Sequence, residues 1–240
     1  MAELLCFGSG SNGNFYAIKC EKETLFLELG IPWKDILKGL SYDISNVVGA
    51  VISHTHQDHA NKDTIRKVIQ YGIPIYSCDD VATMHKGVNE LKKGRKIAIG
   101  GFKLQAIPLF HNTTCFGFII EHDEIGKAIF CTDTCRIPYR FKDANHLLIE
   151  ANYDYCLMID HMFDNIYSQS ASENHMEIND TIYVIKENYS NALQTVVLLH
   201  LSNGNSNAND FVKRVKETIG FNNVWVADKG LKIELNKEDF

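Results

Sequence analysis

Ser53-His54-Thr55-His56-Gln57-Asp58-His59 places four metal-capable side chains within six residues, directly after the apolar run Val47–Ile52 and before a segment of helical periodicity. In an extended chain the side chains alternate, so His54 and His56 face the same way. Asp58 and His59 address a neighbouring point as the chain turns into the helix. The spacing is unlike His-Glu-x-x-His, in which two imidazoles share one helix face. It suits two cations rather than one, about 3.5–4 Å apart and sharing a water and a bridging carboxylate. The bland alternative, a polar loop that happens to hold histidines, does not call for three imidazoles in this register behind an apolar strand.

Upstream of this stretch the pattern is β-rich. Residues 4–7, Phe15–Lys19 and 24–29 read as strands, and the turn Gly8-Ser9-Gly10-Ser11-Asn12-Gly13-Asn14 is too small and polar to pack a core. Downstream, residues 63–71 put Ile65, Val68 and Ile69 on one helical face, and Pro74 precedes a short strand, Ile75–Ser77. Residues 97–99, 102–109, 115–121 and 128–132 form a run of strands separated by Gly or polar turns, which 147–150 and 155–159 extend. Residues 177–189 and 210–219 read as helices, with Thr195–Leu199 an apolar strand between them and 224–227 and 231–235 as closing strands. An α+β sandwich, two sheets packed face to face with helices outside, satisfies this order. With 240 residues, four prolines, no repeats and no linker-like tract, the whole of 1–240 reads as one domain.

The formal net charge of −6, from 24 basic and 30 acidic residues, argues against a strongly basic nucleic-acid binder. It leaves room for a nuclease, because bound divalent cations add local positive charge. No stretch approaches the roughly 20 apolar residues of a membrane-spanning helix. The opening residues lack a basic segment ahead of their short apolar run, so no signal peptide is expected. The seven cysteines are odd in number and contain no C-x-x-C pair, which points to reduced, mostly buried thiols in a cytoplasmic protein.

The histidine stretch resembles the H-x-H-x-D-H motif of the metallo-β-lactamase-fold metallohydrolases. The resemblance implies a four-layer αβ/βα sandwich with a dinuclear site at one edge. It also implies the remaining ligands: a His after a later strand, an Asp at a strand end and a last His near the C-terminus. His111, Asp133 and His200 stand in those places, each behind an apolar strand. His111 completes a three-imidazole set with His54 and His56, the nitrogen-rich arrangement that zinc favours. Asp133 can bridge two cations, and His200 joins Asp58 and His59 at the second. Taken alone, each is an ordinary turn residue. His175, in Ser172-Glu173-Asn174-His175-Met176, matches a His that phosphodiesterase members carry after the bridging Asp, where it contacts phosphate or donates a proton; a helix N-cap setting is the alternative.

The opening Gly-Ser-Gly-Ser-Asn-Gly-Asn with Phe15-Tyr16-Ala17-Ile18, the segment Leu148-Ile149-Glu150-Ala151-Asn152, and His200-Leu201-Ser202 resemble small bacterial exonuclease-like members, the YycJ group. That likeness runs over nearly the whole chain. Two positions depart from it. Glu28 stands where the superfamily usually has an Asp that orients the metal loop from behind, and Asn112 stands where this group often has an acid. Among the other candidates, His85, His122 and His146 read as structural, and His161, after Asp160, reads as structural or exposed but in reach of the site. Cys131 and Cys135 flank Asp133 and read as packing residues, because His59 already fills the place where some β-lactamases use a Cys. The basic residues in 92–96 read as a solvated turn, with contact to an anionic substrate as the alternative.

The chemistry implied is hydrolysis by a metal-activated hydroxide, without an organic cofactor. Asp58 would be ligand and proton acceptor, and His175 would protonate the leaving oxygen or clamp phosphate. Two divalent cations are expected; zinc fits best, and manganese or iron also suits mixed nitrogen and oxygen donors. His59 and the lack of a signal peptide turn the reading away from exported antibiotic lactamases. The interval between Asp133 and His200 is too short for the extra domain of long-substrate nucleases, and no basic arm for transfer RNA is present. The leading expectation is a phosphodiesterase acting on nucleic-acid ends or on small, including cyclic, nucleotides. The alternatives are a thioesterase or lactonase type of small-molecule hydrolase, which has no need of His175 at a phosphate, and a non-catalytic metal-binding module, which predicts a missing bridging ligand or last His. Small members of the superfamily often pair as homodimers.

Overall fold

The computed structural model describes residues 1–161 and 173–237. Its first half runs β1 (Glu3–Gly8), β2 (Phe15–Lys19), β3 (Thr24–Leu27), α1 (Trp33–Gly39), β4 (Val47–Ile52), α2 (Lys62–Gln70), β5 (Ile75–Ser77), α3 (Asp79–Met84) and β6 (Val88–Glu90). The second half runs β7 (Lys96–Ile99), β8 (Phe102–Pro108), β9 (Phe116–His122), β10 (Gly126–Cys131), β11 (His146–Glu150), α4 (Tyr155–His161), α5 (Ile178–Glu187), β12 (Thr195–Leu199), α6 (Ala208–Ile219) and β13 (Val224–Val226). A last strand, β14 (Lys232–Glu234), returns to the first sheet beside β1.

The two seven-stranded sheets have the orders β14-β1-β2-β3-β4-β5-β6 and β13-β12-β11-β10-β9-β8-β7. Their pairings match. Strands β1 to β3 are antiparallel and β3 to β6 parallel in one sheet; β7 to β10 are antiparallel and β10 to β13 parallel in the other. The molecule is thus two topologically equivalent halves. No sequence repeat announces this, because burial constrains pattern far more than identity.

The central layer is closed by aromatic rings from both sheets: Tyr16 meets the edge of Phe130 at 5.5 Å, and Phe118 stacks on Phe130 at 6.4 Å. Ile36, Ile65, Val68 and Val81 bring α1, α2 and α3 onto this core, and Ile182, Ile185, Phe211 and Val215 bring α5 and α6 onto a second one with the other sheet. Each such side chain contributes about 1.5–3 kcal/mol when fully buried. The result is the pair of sheets with outer helices expected from the strand pattern, layered as the αβ/βα sandwich that the resemblance implies.

Two local expectations need correction. Residues 155–159 are helical, within α4, rather than a strand. The apolar run is ambiguous by periodicity, and Asp154 decides it by accepting the backbone N–H groups of Cys156 and Leu157 as a helix cap. The Gly/Ser/Asn turn supplies no apolar core residue, as expected, although its polar Asn14 is fully buried. His146 lies inside β11, fully buried, rather than ahead of the strand. Among the described residues no helix is long and apolar enough to cross a membrane.

Candidate metal centre

The carboxyl ends of parallel strands open at one edge of the sandwich, the usual ligand-binding edge of such sheets. Glu28 leaves β3, His54 leaves β4, Asp133 leaves β10, Glu150 ends β11 and His200 leaves β12. The loop after β4 carries His56, Asp58 and His59, and is closed by α2, whose N-cap Asn61 accepts the N–H groups of Asp63 and Thr64.

His54 Nε2 lies 2.9 Å from His56 Nδ1, which lies 3.2 Å from His111 Nε2. Tetrahedral zinc–nitrogen bonds of about 2.0–2.1 Å place donor atoms at about 3.3 Å. On the far side, His111 Nδ1 donates to the carbonyl of Asn174 at 3.1 Å, and His54 Nδ1 lies 2.8 Å from Ser53 Oγ, a hydroxyl able to donate or accept. The His111 ring therefore turns a lone pair inward.

The second group gathers Asp58, His59 and His200. His59 Nε2 is 3.4 Å from Asp58 Oδ2, and His200 Nε2 is 3.8 Å from the same oxygen. Asp133 stands between the groups, with Oδ2 at 3.1 Å from His59 Nε2 and Oδ1 at 3.7 Å from His200 Nε2. All seven ligand candidates of the sequence are thus brought together. His175 joins them, stacked on His200 at 5.1 Å and edge-on to His111 at 5.5 Å.

The electrostatics of this assembly call for cations. Burial pushes His54 down to about 2, with His59 adding to the effect. His59 and His200 are also penalised by burial, yet Asp133 and the other carboxylates beside them outweigh it: His59 is held well above the usual imidazole value, and His200 is held up to about 10. Burial opposes ionisation of Asp133 and Asp58 too, and their imidazole partners still hold both below the carboxylate range. His200 Nε2 is buried without a hydrogen-bond partner. An orphaned inward nitrogen, among imidazole nitrogens and carboxylate oxygens gathered within reach of common points, fits divalent cations bound by nitrogen and oxygen donors.

Of the residues behind the ligands, sequence reasoning singled out Glu28 and gave no role to Glu150, Asn152 or Asn14. Glu150 is fully buried; its Oε1 lies 2.7 Å from His175 Nδ1 and 3.3 Å from His200 Nδ1, and its Oε2 accepts the N–H of Thr134. Asn152 donates to the His200 carbonyl at 2.7 Å. The carboxamide of Asn14 lies 2.8 Å from His59 Nε2 and reaches the carbonyl of Asp58. Such partners orient ligands, but Glu150 is a lone acid at the end of β11, Asn152 lies just past it and Asn14 just ahead of β2, and no spacing marks any of them. Glu28 supports the metal loop from behind. Its Oε2 accepts the N–H of Ser53 at 3.2 Å and faces His59 Nδ1 at 3.4 Å. Cys131 packs in the core and the basic residues in 92–96 are exposed, while Cys135 is only partly covered. The side chain of His161 lies outside the described residues.

Comparison with known proteins agrees with the architecture. The chain is 23% identical over 162 residues to an exodeoxyribonuclease, YycJ, of Bacillus anthracis, a match that spans 61% of this chain and 61% of that protein. The metallo-β-lactamase-fold protein YhfI from Bacillus subtilis superposes with a TM-score of 0.73 at 17% identity, covering 97% of this chain and 98% of that one. A diphosphatase of the PhnP family superposes with a TM-score of 0.68 at 15% identity, covering 98% of each chain. Residues 35–201, most of the sequence and all but a few of the residues gathered at the site, match the family described as beta-lactamase superfamily domain, and the chain belongs to that family.

Proposed function

We propose that this member of a superfamily of metal-dependent hydrolases is a phosphodiesterase that acts on nucleic-acid ends or small nucleotides. In this reading His54, His56 and His111 would hold one divalent cation, Asp58, His59 and His200 would hold a second, and Asp133, between the two groups, would serve both. The imidazole-rich first set suits zinc, and the mixed second set suits zinc, manganese or iron. When bound, the cations supply a lowered water pKa and Lewis acidity at the substrate oxygen.

The protein's own groups then divide the proton work. Asp58, with a quarter of its side chain exposed, is the most accessible carboxylate of the cluster and the one able to take a proton from attacking water. His175 is the observation that carries the phosphodiester reading. Its Nδ1 is held by Glu150, which, with Asp133, outweighs burial and keeps the imidazole above its usual value. The ring remains one-fifth exposed. A protonated imidazole at the rim of a cation cluster donates to a leaving alkoxide, which departs poorly without a proton. A thioester or lactone hydrolase has less need of that donor. The exodeoxyribonuclease and diphosphatase relatives favour phosphate chemistry as well.

The test is turnover of bis-p-nitrophenyl phosphate, single-stranded DNA, cyclic mononucleotides and a thioester by the metal-loaded enzyme. Phosphodiester cleavage is expected, with His175→Ala slowing it about 10²–10⁴-fold while metal content holds. Turnover of the thioester alone overturns the reading.

A further inference from the structure

The turn between β1 and β2, Gly8-Ser9-Gly10-Ser11-Asn12-Gly13-Asn14, runs between the two segments that carry Asp58, His59 and His200. The carboxamide of Asn14 closes it. Its Oδ1 accepts the Gly10 N–H at 2.8 Å, and its Nδ2 donates to the Gly10 carbonyl at 3.1 Å. Closed in this way, the turn brings Ser9, beside the first sheet, against His200 at the end of β12 in the second, 191 residues further along the chain.

Ser9 Oγ accepts the backbone N–H of His200 at 2.9 Å and the hydroxyl of Tyr16 at 2.7 Å. The tyrosine is fully buried, with its ring against Phe130 between the sheets, and its hydroxyl also stands 3.4 Å from Asn14 Oδ1. One phenol thus reaches both the residue behind His59 and the residue behind His200. His200 needs such support, because its φ of 55° is a conformation that a side chain holds only where neighbouring contacts fix it. The contacts flank the residue: Ser9 takes its N–H, and Asn152 Nδ2 donates to its carbonyl at 2.7 Å. Glu150 Oε1, 3.3 Å from Nδ1, then sets the ring, and Nε2 faces carboxylate oxygens of Asp133 and Asp58 at 3.7 and 3.8 Å. Without the Ser9 hydroxyl a buried N–H loses its acceptor. The backbone is then free to leave the left-handed region and carry Nε2 away from those oxygens.

We propose that Ser9 is a positioning residue for the second cation: it holds His200 in ligating geometry, and Tyr16 sets Ser9 from the core. The proposal rests on the reading that Asp58, His59 and His200 receive that cation. Ser9 acts through the His200 backbone. Among the described residues, the hydrogen bonds of the Ser9 and Tyr16 side chains reach His200 and Asn14 and none of His54, His56 and His111. The effect of losing Ser9 is therefore confined to one of the two cations.

Zinc titration of metal-depleted full-length protein against a chromophoric chelator tests this. The wild type is expected to take up two equivalents. In Ser9→Ala one of them should bind about 10–100-fold more weakly, the usual effect of removing a ligand's support, while the other is unchanged. Ser9→Thr, which keeps the hydroxyl, should bind as the wild type does. Because Ser9 acts through His200, adding Ser9→Ala to His200→Ala should weaken zinc no further. Tyr16→Phe, which leaves the serine in place but unheld, should shift the same equivalent in the same direction, and it carries the test if Ser9→Ala does not fold by circular dichroism. Wild-type affinity in folded Ser9→Ala or Tyr16→Phe, or equal weakening of both equivalents, overturns the proposal and leaves the metal reading standing. Fewer than two equivalents in the wild type overturns the metal reading and this assignment with it.

Discussion

Glu28 sits at φ 63° directly after β3, Asp133 at φ 53° after β10 and His200 at φ 55° after β12. Side chains in this left-handed region cost about 1–3 kcal/mol each and persist only where surrounding contacts over-determine them. Here each turns a strand end sharply enough to aim its side chain into the cluster. Glu28 and Asp133 occupy equivalent places in the two halves, one behind the ligands and one among them. A different constraint acts at Gly30, where a Cβ would stand 1.6 Å from the carbonyl oxygen of Asp58. The chain leaving β3 presses against the metal loop, and only glycine allows that approach. Gly30→Ala is therefore expected to cost about 3 kcal/mol of stability and to weaken metal binding at Asp58; an unchanged urea midpoint with full metal content would contradict this. His111→Ala should remove metal from the three-imidazole group and abolish turnover while the fold is kept, as read by elemental analysis and circular dichroism. Retained activity at full metal occupancy assigns that ligand elsewhere. The ligands were legible because they cluster or follow long apolar strands. Glu150, Asn14 and Asn152 were not, because a single polar residue beside a strand has many ordinary uses.

At the scale of elements, β11 shows how one strand serves two ends. Glu150 holds His175 and His200 at its carboxyl end, while His146 at its amino end is buried with Nε2 donating to the Ile125 carbonyl and Nδ1 unpaired. Burial, partly offset by that carbonyl, pushes His146 down to about 4 from an ordinary value of 6.5. The sign follows from linkage. Between pH 6.5 and 4 the unfolded chain takes up a proton that the native one refuses, so stability falls as pH drops through this window. It does so by about 3 kcal/mol in all. His146→Gln keeps a donor for Ile125 without a titrating ring. The stability difference between wild type and His146→Gln, from urea unfolding at successive pH values, should therefore change across this window and level off outside it; parallel curves refute the assignment. The short apolar runs of β4 and β12, bounded by polar residues, and the helical period of α2 were readable from the sequence. The helix α4 was not, because its apolar run fits either period and only the cap at Asp154 separates them.

The whole molecule places its chemistry where the two halves meet. His54, His56, Asp58 and His59 come from the first half, and His111, Asp133 and His200 from the second. The sandwich itself could be inferred from the order of strands and helices. Its internal duplication could not, since the halves share topology and not residues. Buried carboxylates at this seam need positive charge. Without metal, protons on His59 and His200 provide it, each imidazole held above its ordinary value against the cost of burial. Divalent cations bind only the neutral rings and must displace those protons. Zinc uptake near pH 7 should therefore release protons, and apparent affinity should rise with pH up to the neighbourhood of 10, where His200 gives up its proton unaided. Calorimetric titration of metal-depleted protein in buffers of different ionisation enthalpy measures the number released. Metal at a hundredfold excess over its dissociation constant should also stabilise the fold by about 2.7 kcal/mol per site, raising the melting temperature, because each ion ties one half to the other. Heats that do not vary with buffer would show that the rings are already neutral in the empty cluster, and that the carboxylates at the seam are balanced in some other way.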